Sequence, residues 1–366
     1  MTLTSHTSTS GVGPVGKGDR GREFHIHTVL AVDAENKQIL GCAHQDPFVR
    51  QSAPAHETRA QRRARPRESQ VWERSAQHIG SPPSGSHWVH VGESGADLFT
   101  FWEVCRKLGC DFVIRVCQDR LVALEPEEQE AGRVLHHLRK QAESKPAQDA
   151  RVFHVRAEHQ RPARDTLLRV SFQRVLIQPP QHGASWDKQE LPVWVLRVWE
   201  PEPPAGAEPL EWLLVTTVPI ATTEQAWQRV QWYGWRWLLE EFHHALKTGC
   251  RIEQRQMRSV EALFRLLAVL TPMALRLLCL REIAQNAPEA EATEVMSSDV
   301  VQVVARLARR PIGHMSVREL WHTIASFGGY FNRKGDGPPG WMTLWRGWLY
   351  VQTVLEGVHL AASFSP

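Results

Sequence analysis

The chain has 366 residues, a formal net charge of +3 and fifteen tryptophans. This length is sufficient for two or three folded units with sizeable cores. The small net charge excludes a protein that binds nucleic acid through bulk positive charge alone, although local clusters of arginine remain effective. Six cysteines without a Cys-x2-Cys pair predict reduced thiols in a cytosolic protein. We identify no apolar run of membrane-spanning length and no signal peptide.

The first part of the chain alternates between strand and helix patterns. Residues 24–32 and 38–44 alternate in polarity and predict a β-hairpin around a turn at 33–36. Residues 87–92 predict a strand, 97–108 a helix and 110–117 a second strand. A strand–helix–strand unit of this length implies a right-handed crossover in a mixed sheet. The predicted fold class is therefore α/β.

The second part of the chain changes from β to α patterns. Residues 126–145 predict a charged helix, and 151–218 predict several strands separated by proline-rich turns. A helix starts at Thr222 or Thr223 and leads into residues 233–247. Further helices are predicted at 259–285, 299–308, 316–326 and 341–360.

Residues 233–247 hold the pattern on which the functional interpretation depends. On one continuous helix, at about 100° per residue, Arg236, Glu240 and Lys247 fall within roughly 60° of Tyr233. Apolar residues fill the opposite side, so one face suits a core and the other carries polar groups. The simplest alternative is a solvated surface with an Arg–Glu pair four residues apart, worth only about 0.2–0.5 kcal/mol.

The polar face also fits the chemistry of phosphodiester cleavage. A carboxylate such as Glu240 is the oxygen ligand that Mg²⁺ prefers. Arg236 binds phosphate oxygens through a two-pronged fork and Lys247 binds them as a point charge. Tyr233 adds a hydrogen-bond donor. Two divalent metals about 3.5–4 Å apart then activate the attacking oxygen and stabilise the leaving oxygen.

The spacing Tyr-x2-Arg-x3-Glu-x6-Lys, here Tyr233, Arg236, Glu240 and Lys247, resembles the signature of the insertion sequence 4 family of DDE transposases. That family includes the transposase of transposon 5. The resemblance runs from near the start of the chain to near its end. It implies a ribonuclease H-like mixed sheet with an all-β insertion and a helical C-terminal domain, and cut-and-paste DNA transposition by metal-dependent cleavage and strand transfer.

The same resemblance divides the chain into four predicted parts. Residues 1–125 form the first part of the ribonuclease H-like core, without its first strand. Residues 126–218 form the β insertion, 219–286 return to the core with the catalytic helix, and 287–366 form a helical region that resembles a dimerisation domain.

The family's second catalytic aspartate follows a Val-Gly pair, and Glu93 stands in that position after Val91-Gly92. The resemblance implies that Glu93 and Glu240 are the catalytic, metal-binding acids. Asp97, four residues on, is a rival for the second acid, or an acid that stabilises a helix start. The family's first aspartate aligns about two residues before Met1. The first acid is thus missing from this chain, and the second is a glutamate, one methylene longer than the family's aspartate. We therefore expect most of the activity to be lost.

The resemblance also implies partners. Trp212 stands in a strand in which family members carry a tryptophan that captures a flipped DNA base, a contact worth about 1–3 kcal/mol; a core tryptophan is the alternative. Tyr233, Arg236, Lys247 and Trp212 are thus candidate DNA-binding residues. The expected ligands are Mg²⁺ or Mn²⁺ and double-stranded DNA at transposon ends and target. The expected assembly is a homodimer, or a heterodimer with an intact transposase, in the cytoplasm with the nucleoid and away from membranes.

Three interpretations stay open from the sequence. The first is an active DDE transposase. The second is a catalytically inactive remnant that binds DNA or associates with an intact transposase. The third is a standalone metal-dependent nuclease of the same fold. An in-frame Asp-Thr-Thr motif and a DNA-binding domain encoded upstream of Met1 would favour the first interpretation over the second.

Overall fold

The computed structural model describes residues 2–3, 9–14, 22–51, 54, 56–58, 60–61, 67–124, 134–155, 163–181, 189–311 and 313–364. The chain divides into two compact units. The terminal unit combines Met1–Arg63 with Leu238–Pro366, and the sheet unit is Ala64–Trp237.

The strands, in chain order, are β1 (Thr2–Leu3), β2 (Gly13–Pro14), β3 (Arg22–Val32), β4 (Ile39–Phe48), β5 (Val89–Gly92), β6 (Asp111–Arg115), β7 (Leu121–Ala123), β8 (Leu135–His137), β9 (Asp149–Val155), β10 (Arg164–Ile177), β11 (Leu191–Trp199) and β12 (Glu211–Thr216). The α-helices are α1 (Val71–Ile79), α2 (Phe99–Leu108), α3 (Leu138–Ser144), α4 (Thr223–Gly234), α5 (Trp237–His244), α6 (Val260–Asn286), α7 (Ala292–Val295), α8 (Ser298–Leu307), α9 (Val317–Phe327) and α10 (Trp341–Ser363).

In the terminal unit, β3 pairs antiparallel with β1, β2 and β4. The predicted hairpin is confirmed, because β3 and β4 are joined by a tight turn in which Asp33 exchanges backbone hydrogen bonds with Lys37 and Gln38. The Asp33 carboxylate accepts a hydrogen bond from the amide of Glu35, so this aspartate closes the turn.

The long helix α6 is the apolar centre of the terminal unit. Ser259 caps its N-terminus, and residues such as Leu263, Leu267 and Leu277 are buried. Its length and composition alone are those of a membrane-spanning helix, so the sequence-based statement that no such run exists was wrong. Its polar contacts point to a core helix, since Glu282 pairs with Lys37 of the hairpin turn at 2.8 Å.

Among the described residues of the sheet unit, eight strands form one mixed sheet in the order β5-β6-β12-β11-β10-β7-β8, with β9 also paired to β10. Strands β5 and β6 are parallel and are joined through α2, which confirms the predicted crossover unit. The strands predicted as a β insertion continue this same sheet, because β12 pairs antiparallel with β6.

Both faces of this sheet are covered by helices. Helices α1, α2 and α3 pack on one face, where Trp102 and Phe112 stack with ring centroids 5.5 Å apart. Helix α4 packs on the other face through Trp227, Val230 and Tyr233. Successive side chains along β10 and β11 point to opposite faces of the sheet, so these strands contribute to the apolar core on each face.

One predicted helix differs from the structure. Residues 126–145 were expected to form a single charged helix, but Leu135–His137 form β8 and only Leu138–Ser144 are helical. The strand pairs with β7, so a tertiary hydrogen-bonded partner outweighs the local pattern. Residues 125–133 lie outside the described residues.

Candidate active site and DNA-binding face

The signature segment is not one continuous helix, contrary to the sequence-based prediction. Helix α4 ends at Gly234, and the amide of Arg236 bonds to the carbonyl of Tyr233, a three-residue turn. Helix α5 follows, and a π-helical segment spans Ala245–Gly249. The amide of Cys250 reaches the carbonyl of Ala245, five residues back, which is the π-helical spacing. Because of these two irregularities, residues 233–247 do not share one helical face.

Tyr233 lies in the core of the sheet unit and not on the predicted polar face. Its side chain is 7% exposed, and its ring lies 6.4 Å from the ring of Trp212, centroid to centroid. Trp212 stands on β12 and is only partly buried. The two rings belong to the apolar layer between the sheet and α4, which fixes the end of that helix against the strands.

Arg236 faces Glu93 across the end of β5. The Nη1 atom of Arg236 lies 3.9 Å from Oε2 of Glu93, and the guanidinium carbon lies 6.0 Å from the centroid of the Tyr233 ring. Glu93 directly follows β5, at the carboxyl end of the parallel pair β5 and β6. Its side chain is 57% exposed, so this acid opens to solvent and the pair is loose.

Asp97, the rival for the second acid, is buried and fully engaged. Its Oδ2 accepts hydrogen bonds from the amides of Cys117 and Gln118 at 2.8 and 2.7 Å. Its Oδ1 accepts two bonds from the guanidinium of Arg120. The suggestion that Asp97 stabilises a helix start was therefore wrong, because the carboxylate holds the chain between β6 and β7.

Glu240 and Lys247 belong to the terminal unit. Glu240 lies on α5 and is exposed, whereas Leu238 and Phe242 of the same helix are buried. Lys247 lies in the π-helical segment, with its Nζ 3.3 Å from Oε1 of Glu253. The predicted apolar side of the segment is thus confirmed for its central residues, and Glu240 faces away from that core.

Two residues of α5 that the sequence reasoning did not use are prominent in the structure. Glu241 accepts hydrogen bonds from Arg281 of α6 and Trp341 of α10. His243 is largely buried, and this burial, with nearby positive charges that include Lys247, lowers the pKa of His243 to about 3. Glu241 is the neighbour of Glu240 in the sequence and His243 lies between Glu240 and Lys247, but only the tertiary contacts distinguish these two residues.

The carboxylates fit a divalent cation by the chemistry of their donors. Glu93 and Glu240 are exposed acids with oxygen donors, and Mg²⁺ is commonly held by one or two carboxylates together with water and substrate phosphate. Among the residues that the structure describes, no group of three or more His, Cys, Asp or Glu side chains is arranged to hold a metal ion. Glu93 and Glu240 therefore remain the predicted metal ligands, and a close approach of their carboxylates remains a prediction.

The sheet unit brings four predicted site residues into one series of contacts, which runs from Glu93 through Arg236 and Tyr233 to Trp212. The mixed sheet covered by helices on both faces, with an acid at the end of a strand, is consistent with a ribonuclease H-like fold.

Comparison with protein families agrees with this fold class. A model described as a transposase DDE domain matches residues 4–275, and one described as the transposase Tn5 dimerisation domain matches residues 272–366. The first match covers more than half of the chain, so the chain belongs to the transposase DDE domain family. The second match covers α7–α10 and the greater part of α6, which confirms the sequence-based resemblance for the helical C-terminal region.

Proposed function

We propose that the protein is a DDE transposase that moves DNA by a cut-and-paste route, with phosphodiester cleavage followed by strand transfer. The observation that carries this proposal is the position of Glu93, an exposed acid at the carboxyl end of β5 with Arg236 beside it. Acids placed where parallel strands end are open to substrate on one side and fixed by the sheet on the other. The family match supports the same class of reaction.

Each predicted residue has a distinct task in this proposal. Arg236 and Lys247 bind phosphate oxygens of the cleaved strand, and Trp212 offers an aromatic face to a base. Tyr233 acts as a positioning residue, because its buried ring supports both Trp212 and Arg236. Glu93 and Glu240 would each supply carboxylate oxygens to a divalent cation, Mg²⁺ or Mn²⁺, and the cation would activate the attacking oxygen and stabilise the leaving one.

The proposed partners are double-stranded DNA and a second transposase chain. The C-terminal half of α10 and the residue that follows it carry exposed apolar side chains, namely Val358 at 45%, Leu360 at 59% and Phe364 at 78% exposure. Exposed apolar side chains at the end of a helix are typical of an association surface. The match of this region to a dimerisation domain favours a second copy or an intact relative as the occupant.

We place this activity in the cytoplasm, on the nucleoid. The six cysteines are all unpaired, as expected for a reducing compartment.

An inactive form that still binds DNA or associates with an intact transposase is the second candidate function. One observation favours it. Glu93 is one methylene longer than the aspartate of the family motif, and it faces Arg236. Magnesium demands near-octahedral geometry, so a longer acid changes the position of the ligand oxygens.

A nicking assay separates the two candidates. The substrate is a supercoiled plasmid that carries the DNA flanking the coding region of this chain, with Mg²⁺ or Mn²⁺. We expect weak nicking by the parent protein, faster nicking by Glu93→Asp, and none by Glu240→Ala. Glu356→Ala, at an exposed position on α10, is the control and leaves nicking unchanged. If the parent and Glu93→Asp both bind the DNA and neither nicks it, the inactive form is the correct function.

A further inference from the structure

Glu241 ties the signature helix to two other helices of the terminal unit. Its Oε2 atom accepts a hydrogen bond from Nη1 of Arg281 on α6 and one of 3.1 Å from Nε1 of Trp341, the first residue of α10. The guanidinium carbon of Arg281 also lies 4.8 Å from the centroid of the Trp341 ring. Three side chains from α5, α6 and α10 thus form one closed set of contacts, which we call the Glu241 anchor.

The helix that carries Glu240 needs such an anchor. Helix α5 has eight residues and is flanked by the turn at Arg236 and by the π-helical segment Ala245–Gly249. A helix this short is marginal by itself, so its orientation comes from tertiary contacts. Buried Leu238 and Phe242 hold it against the core, but apolar packing is not directional. The bonds to Glu241 restrict rotation of α5 about its own axis.

The electrostatics make the anchor strong. The side chains of Glu241 and Arg281 are 22% and 20% exposed, so the pair is shielded from most solvent, and Trp341 is 3% exposed. Hydrogen bonds to a charged acceptor are stronger than neutral ones. Removing the carboxylate leaves the Trp341 indole N–H without this acceptor and Arg281 without this counter-charge. The contacts among all three helices are thereby destabilised.

We propose that Glu241 is a positioning residue for the active site, which fixes the orientation of Glu240 and Lys247 through α5 and links them to the start of α10. This inference rests on the proposed function for the roles of Glu240 and Lys247. Glu240 is the adjacent residue, about 100° around the helix, so any rotation of α5 moves its carboxylate. The hydrogen bond from Trp341 to Glu241 thereby connects the helix that presents the proposed association surface to the signature segment.

Amide hydrogen exchange, read by mass spectrometry on the full chain, tests the anchor without reference to activity. We expect amides of residues 238–249 to exchange roughly tenfold faster in Glu241→Ala, with a smaller change in Glu241→Gln, which keeps an acceptor for Trp341. Amides of β10–β12 stay unchanged, which separates local release from global destabilisation. Trp341→Phe removes the indole donor. The double variant Glu241→Ala/Trp341→Phe should show no faster amide exchange over residues 238–249 than Glu241→Ala alone. Glu356→Gln is the control.

The nicking assay tests the positioning role. We expect Glu241→Gln to lower the rate at saturating DNA by up to about a hundredfold, while the half-saturating DNA concentration stays as in the parent protein. Unchanged exchange over 238–249 in Glu241→Ala would overturn the anchor. If the parent protein nicks DNA and Glu241→Gln nicks it at the same rate, the positioning role is overturned. If the parent does not nick DNA, the proposed chemistry fails, and the exchange result alone decides whether Glu241 anchors α5.

Discussion

Arg120 binds the buried carboxylate of Asp97 inside the sheet unit, and its Nη2 donates a hydrogen bond of 2.5 Å to Oδ1 of Asp97. The Asp97 side chain is 0% exposed and Arg120 is 10% exposed. Two backbone amides complete the coordination of the carboxylate. A carboxylate with this set of donors stabilises the fold, whereas the Glu93 side chain is open to solvent.

Asp97→Asn tests this division of roles. The amide cannot accept from Arg120 and both backbone amides as a carboxylate does, so a buried guanidinium loses its counter-charge. We expect a loss of about 3–5 kcal/mol in the free energy of unfolding, measured by urea denaturation. Glu93→Gln, at an exposed position, changes that free energy by less than about 0.5 kcal/mol. Equal stability of the two variants would contradict a structural role for Asp97.

Arg236 and Lys247 are predicted to meet phosphates, which carry no sequence information. Arg236→Ala and Lys247→Ala should each weaken binding to duplex DNA of any sequence. Each should also reduce the slope of log K against log salt by about 0.9, one phosphate's worth of counterion release. Fluorescence anisotropy at several salt concentrations measures both effects. Lys140→Ala, an exposed lysine on α3, is the matched control; slopes equal to that of the parent would refute the assignment.

His243 predicts a pH dependence of stability. Burial above all lowers its pKa from 6.5 to about 3. Between pH 6.5 and about pH 3, His243 is therefore protonated in the unfolded chain and neutral in the folded chain. The free energy of unfolding falls as the pH falls through this range, by up to about 1.4 kcal/mol per pH unit. His243→Gln should flatten the change in urea midpoint between pH 7 and pH 5. Exposed His244→Gln should leave it intact; the same slope in both variants would disprove the interpretation.

Two glycines of α10 provide a matched pair for packing. A Cβ atom at Gly347 would lie 1.7 Å from the carbonyl oxygen of Ile324 on α9, whereas one at Gly357 meets nothing within 4 Å. Gly347→Ala should therefore cost at least about 1–3 kcal/mol of stability through overpacking. Gly357→Ala should stabilise the helix by about 0.5–1 kcal/mol. Thermal unfolding of both variants measures the difference, and a Gly347→Ala melting temperature at or above that of the parent would contradict the close helix contact.

The exposed end of α10 predicts association. Val358→Glu combined with Leu360→Glu places charges on the apolar surface, which should raise the dissociation constant of the dimer by at least about tenfold. Sedimentation velocity over a range of protein concentrations measures this constant. Glu356→Gln on the same helix should have no effect. A parent protein that is monomeric at high concentration would remove the basis for this surface.

The sequence by itself determined the family and most of the local structure. Alternation predicted β3, β4, β10 and β11, and Thr222 with Thr223 predicted the start of α4, because side-chain periodicity and helix caps are local properties. The signature Tyr-x2-Arg-x3-Glu-x6-Lys predicted membership of the transposase family, since four residue types at fixed spacings are specific whatever the backbone does between them.

Only the tertiary structure decided how those residues are presented. The turn at Arg236 and the π-helical segment are not visible in a helical wheel, which assumes uniform rotation, so the sequence placed Tyr233 on a polar face although it is buried at 7% exposure. Asp97 and Glu93 are alike in the sequence, and only the hydrogen bonds from residues more than twenty positions away separate a buried structural acid from an open one. Burial and pairing depend on partners that are distant along the chain, and local patterns do not specify those partners.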